Sequence, residues 1–191
     1  MAITEVDICN GALTKLGAER ILTLDDNNPR ARLVKESYPK QRDILLYSHP
    51  WDFNRAYSEL GAITLPTGVF DYKYAFQIPS DCHRVFEVNS PGVSWEVVEG
   101  EVLLSNTSTM KIKYGKKIID ANKFSSTFVE CVEYAVASDI CYSLTQSTDQ
   151  MKTMKAMLEN QLRQTRSFNA QVGTPQQVTA TKWLNARRSW R

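Results

Sequence analysis

The sequence predicts an α+β fold: a helical bundle with an inserted antiparallel β-sheet and an extended C-terminal arm. Three observations carry this. Apolar residues recur at helical spacing up to His49, alternate in strand fashion after Trp51, and return to helical spacing after Ser125. From Asn169 onward no period survives. A chain of 191 residues suits one domain with a modest insertion. The expected boundaries are 1–55 for the first part of the helical domain, 56–122 for the β-rich insertion, 123–169 for the second helical part and 170–191 for the arm. No apolar run approaches the roughly 20 residues needed to span a bilayer, so no membrane partner is expected.

Thr4-Glu5-Val6-Asp7 reads as a helix start, a capping box with Asp where Glu is usual. Val6, Ile8, Cys9, Ala12, Leu13 and Leu16 form one apolar face, and Gly17 supplies a C′ stop. Asn28-Pro29 signals a second helix, with Asn28 as N-cap and Pro29 at N1. The acidic pair Asp25-Asp26 lies in this start region, where negative charge suits a helix dipole. Leu33, Val34, Ser37, Ile44, Leu45 and Tyr47 make the expected buried side. Pro39 is expected to kink or break this helix, and His49-Pro50 to end it. Trp51 and Phe53, directly after that proline, are expected to be buried as the pivot between helices and sheet.

Residues 71–78 alternate as a strand, and Pro79-Ser80-Asp81 turns the chain. Short strands follow at 84–88, 95–98, 101–104 and 109–114, with turns at Asn89-Ser90-Pro91-Gly92 and Glu99-Gly100. Spacing this close indicates antiparallel pairing and not βαβ units. After Ser125, Phe128, Cys131, Val132, Ala135, Val136, Ile140 and Leu144 give a helix a wide apolar face. Ala135, Ala137 and Ser138 are small enough to let a neighbour pack close. Residues 151–168 read as a polar helix whose seam is Met151, Met154, Met157, Leu158 and Leu162.

Catalytic signatures are missing: there is no phosphate loop, G-x-G-x-x-G turn or G-x-S-x-G elbow. Cys9, Cys82, Cys131 and Cys141 form no C-x-x-C pair, and the N-terminus resembles no secretory signal. Buried free thiols in a protein made in a cytosol are therefore expected, not disulfides. Cys82-His83 supplies too few ligands for zinc, and His49 beside a helix-ending proline reads as capping or packing. No catalytic residue, metal or cofactor is expected.

The net charge of +2 conceals an asymmetry. From Asn160 onward there is no acidic residue, while Arg163, Arg166, Lys182, Arg187, Arg188 and Arg191 give +6. That leaves 17 of the 23 basic residues against 21 acidic ones in the rest, or −4. The candidate partner-binding residues are Lys182, Trp183, Arg187, Arg188, Trp190 and Arg191. The arm lacks the apolar density to fold alone, yet it carries Trp anchors and Arg forks suited to a partner. A solvated tail and base stacking on the two tryptophans are the alternatives.

The run Ile8-Cys9-Asn10-Gly11-Ala12-Leu13-Thr14-Lys15-Leu16-Gly17, then Leu24-Asp25-Asp26, and above all Ser48-His49-Pro50-Trp51-Asp52-Phe53 resemble the tail tubular protein A family of phage head-to-tail adaptors. Tyr74-Ala75-Phe76-Gln77-Ile78-Pro79-Ser80-Asp81-Cys82 and the late helix with Phe128, Tyr134, Ala135 and Ala137 are similar to the same family. The likeness covers most of residues 4–165 and does not reach the arm. It implies a structural virion protein of the tail and neck, assembled in the host cytoplasm. Such a protein forms a ring of twelve copies that joins the portal to a tail nozzle of the tubular protein B kind in a short-tailed phage. It implies no cofactor and no enzymatic activity, with viral DNA passing unread through the lumen during ejection. An acidic body fits, since it repels DNA and lets it slide. The runner-up is a nucleic-acid-binding module using the basic, Trp-containing arm. A wall-degrading hydrolase would need an acid and a base that nothing in the sequence supplies.

Overall fold

Helices, then strands, then helices follow one another along the computed structural model, which describes residues 3–67, 69, 71–89 and 92–172. In α1 (Glu5–Lys15) the capping box closes as expected. The Thr4 hydroxyl accepts from the Asp7 N–H, and the Asp7 carboxylate accepts from the Thr4 N–H. Gly17, at φ 69°, takes the left-handed conformation just past the helix end.

The second helix, α2 (Pro29–Ser48), has Asn28 as N-cap and stops at His49. Pro39 does not break it: the helix is continuous over 20 residues. The proline removes one backbone hydrogen bond. Core packing by Ala31 and Val34 before it, and by Leu45 and Leu46 after it, outweighs that loss. The expected buried side needs correction as well. Ile44 and Tyr47 are exposed, while Tyr38, Arg42 and Leu46 are buried. Tyr47 lies nine residues after Tyr38, half a turn round the helix, so the two cannot share a face. Asp26 serves an earlier turn and not the start of α2: its carboxylate accepts from the N–H groups of Leu22 and Thr23 and from the Thr23 hydroxyl.

Among the described residues the strands are β1 (Arg55–Leu60), β2 (Ala62–Ile63), β3 (Tyr74–Gln77), β4 (Cys82–Val88), β5 (Trp95–Val98), β6 (Val102–Ser105) and β7 (Met110–Lys116). They form two antiparallel sheets, ordered β1-β7-β4 and β2-β3-β6-β5, where the sequence suggested one. The sequence places the β-rich insertion from residue 56 but marks no individual strand before residue 71, so β1 and β2 fall inside the expected insertion without having been resolved. The inward residues of β1 are Ala56, Ser58 and Leu60, too small and polar to stand out as an alternating apolar run. Leu60 leads through Gly61 directly into β2, so one stretch of chain serves both sheets. Phe76, Leu103, Met110 and Ile112 fill the core they share. Glu99 and Gly100 turn β5 into β6 with φ 56° and 74°, the paired positive values of a tight hairpin.

The chain then returns to helix in α3 (Ser126–Thr145), capped by the Ser125 hydroxyl, and α4 (Thr148–Gln171). α3 is the hub. It packs against α1, α2 and α4, and Phe128, Cys131, Val132, Ala135 and Ala137 are all buried. The seam of α4 consists of Met151, Met154, Leu158 and Leu162, whereas Met157 is exposed. The helix also runs past the expected start of the arm at residue 170, because its last turn has tertiary partners.

Candidate functional site

Lys182, Trp183, Arg187, Arg188, Trp190 and Arg191, the expected binding residues, lie outside the described residues. The structure does describe the root from which they extend, and it is built around Asn169. The Asn169 Oδ1 accepts from the Asp52 N–H at 2.7 Å. Its Nδ2 then faces the Pro50 carbonyl at 3.3 Å and the His49 Nε2 at 3.1 Å. An amide nitrogen only donates, so His49 must accept through Nε2 and carry its proton on Nδ1. Burial holds the His49 pKa below the usual imidazole range, and the nearby charges of Arg166 and Arg55 act in the same direction.

Beneath this network lies an aromatic weld. Trp51 is 1% exposed, and its indole N–H donates to the Leu45 carbonyl at 2.9 Å. Its ring meets His49 at 4.7 Å and Phe128 at 5.1 Å, edge to face, and stacks on Phe53 at 6.3 Å. Thr165, also buried, donates from its hydroxyl to the Thr127 carbonyl. The end of α2, the approach to β1, the start of α3 and the end of α4 therefore meet at one point. Trp51 is buried as expected and Phe53 partly so. Phe168 and Val172, each more than half exposed, border a small cavity of about 100 Å³ beside Trp51.

A second contact ties the helices to the sheets. Asp43 receives Arg42 at 2.8 Å and Lys117 at 2.7 Å, and the His83 ring lies 3.2 Å from the Asp43 carbonyl. Burial alone would raise the Asp43 carboxyl. Hydrogen bonds from Lys117 and Arg42, with their charges, outweigh it and leave the pKa lowered. Tyr47, exposed to solvent on one side, packs edge-on against His83 at 5.1 Å.

Residues that carry the family resemblance prove to have local structural tasks. Asn10 accepts from the Ile21 N–H at 2.8 Å and donates to its carbonyl at 2.9 Å, fastening the loop after α1. Gly11 leaves the space filled by the Glu133 carboxylate, which pairs with Lys15 at 2.9 Å. The Ser48 hydroxyl donates to the Leu45 carbonyl. Asp81 accepts from Lys116 and from the Tyr114 hydroxyl. Sequence reasoning missed Asn169, yet Leu158, Leu162, Thr165 and Asn169 continue one helical stripe in which polar residues replace apolar ones.

Two of the thiols are poorly suited to attack. Burial and the Glu5 charge push Cys9 up to about 12, and burial with the Asp81 charge pushes Cys82 up to about 11. Among the described residues no group of three or more His, Cys, Asp or Glu side chains could hold a metal ion. No described helix is long and apolar enough to cross a membrane. No family model matches the chain, and no curated protein matches it.

Proposed function

We propose that this chain is a structural virion protein, a ring-forming adaptor that joins the portal of a short-tailed phage to its tail nozzle. Twelve copies form the ring, viral DNA passes through its lumen without being read, and no cofactor or catalytic step is assigned to the chain. The observation that carries this reading is the weld at residues 48–53. The run most similar to the tail tubular protein A family is the one that locks both helical segments and the root of the arm together, directly before β1. A rigid body with a firmly rooted basic arm suits a subunit that must bear load and grip a neighbour. On this reading Lys182, Trp183, Arg187, Arg188, Trp190 and Arg191 engage the portal. Arginine forks pair with carboxylates, and twelve arms add avidity to a weak single contact. Truncation after Gly173 should leave a folded subunit that no longer joins portal-containing heads. Infectious virions completed by the truncated protein would overturn the assignment of the arm.

One observation favours the runner-up, a nucleic-acid-binding module. α4 exposes Lys152, Lys155, Arg163 and Arg166 against Asp149 and Glu159, and so continues the positive charge of the arm into the described body. DNA binding by the isolated protein that falls steeply with salt would support that alternative.

A further inference from the structure

Two open grooves of similar size flank the β-unit, and their charges differ. The first, about 620 Å³, crosses the outer face of β1, β7 and β4. Its lysines are already engaged, Lys111 with Glu59 and Lys113 with Glu87. The second, about 630 Å³, lies where β3 leaves its sheet and β5 turns into β6. Ile78, Pro79 and Cys82 line one side of it together with the polar Gln77 and Ser80, and the Glu99-Gly100-Glu101 turn lines the other. Glu99 and Glu101 are exposed and make no ion pair among the described residues. Glu99 is moreover held at φ 56°, a backbone state that favours glycine or asparagine, so a glutamate stands there against local preference.

A partly apolar groove beside two unpaired carboxylates fits a segment that is both aromatic and cationic. The chain itself contains one. Beyond Val172 there are nineteen residues with Trp183 and Trp190, four cations and no acid. Extended, they reach on the order of 60 Å, whereas a compact body of this size is roughly 40 Å across. The arm is therefore long enough to reach any part of its own subunit. A tethered segment acts at an effective concentration in the millimolar range, so it outcompetes the arm of another copy at ordinary protein concentrations.

We propose that residues 173–191 dock into the groove between Ile78 and Glu101 of their own subunit, with indole against Ile78 and Pro79 and cations against Glu99 and Glu101. The contact is autoinhibitory. It shields two tryptophans in the free protein and must open before the arm can grip anything else. It does not depend on the adaptor reading, which concerns the partner that takes the arm afterwards.

Lys182 is the only amine on the arm, which makes the test specific. Zero-length carbodiimide coupling of the full chain, followed by mass spectrometry, should join Lys182 to Glu99 or Glu101. The yield should fall at least fivefold between 50 and 500 mM salt, because the charges of Glu99 and Glu101 are exposed and easily screened. In an equal mixture of light and nitrogen-15-labelled protein the linked peptides should be all light or all heavy. Mixed pairs would show that a second copy supplies the arm and overturn the intramolecular contact. Coupling of Lys182 only to other carboxylates, or to none, would overturn the groove. As a second readout, E99Q/E101Q in the full chain should raise the rate of tryptic cleavage after Lys182, Arg187 and Arg188 several-fold. An unchanged rate in a folded variant would also overturn the proposal.

Discussion

The two halves of the molecule are stabilised in different ways. Among the described residues the helical unit buries one large cluster, 24 apolar residues centred on α3 and closed by Trp51, Phe124 and Phe128. The core cluster of the β-unit has seven, and its surface relies on cross-strand pairs such as Glu59 with Lys111 and Glu87 with Lys113. Exposed pairs of that kind contribute little, about 0–1 kcal/mol each. The helical unit thus carries most of the stability, and the β-unit is a thin-cored attachment that begins just after the weld at Trp51 and is held by the clasp at Asp43.

Removing the weld should be the most damaging single change. Trp51→Ala is expected to cost about 3–5 kcal/mol in urea unfolding, since the indole is fully enclosed and its N–H is satisfied. A loss below about 1 kcal/mol would mean that the ends of α2 and α3 are not joined there. In the thin core, Leu103→Ala should cost roughly 2–3 kcal/mol. Hydrogen exchange should rise first in β3 and β6 while α3 stays protected. Equal loss of protection in α3 would show that the two cores unfold as one, and the contrast drawn above would fail.

Asn169→Ala should cost about 1 kcal/mol, because it removes the acceptor of the part-buried Asp52 N–H and frees the end of α4. The same network predicts a pH effect. His49 titrates lower in the folded protein than in the unfolded chain, so below its ordinary pKa of about 6.5 the unfolded state takes up more protons. Its contribution is complete above that pH and is lost as the pH falls towards the folded value. His49→Gln should flatten the slope of stability between roughly pH 7.5 and 5.5, and an unaltered slope would remove His49 from the network around Asn169. The smallest effect belongs to the sheet surface. Lys111→Ala should change stability by less than about 0.5 kcal/mol in thermal unfolding, as its ion pair is more than half exposed on both sides.

Features with a local cause were legible in the sequence. The Thr4 and Asn28 caps, the Gly17 stop, the His49-Pro50 terminus and the Glu99-Gly100 turn each follow from a few neighbouring residues. Features decided by tertiary partners were not. Pro39 is tolerated because α2 is packed on both sides of it, and α4 reaches Gln171 because Asn169 finds His49, Pro50 and Asp52 more than a hundred residues away. β1 was hidden because its inward face is small. The weld itself was half legible: Trp51 announced a buried pivot, while its polar lock could come only from the fold.

The adaptor reading rests on this welded body acting as one unit of a ring, and that can be seen directly. Negative-stain electron microscopy of the full-length protein mixed with its cognate portal should show a twelve-fold ring seated coaxially on one face of the portal. Portal particles that remain bare at saturating protein, with the added chain still monomeric, would contradict it.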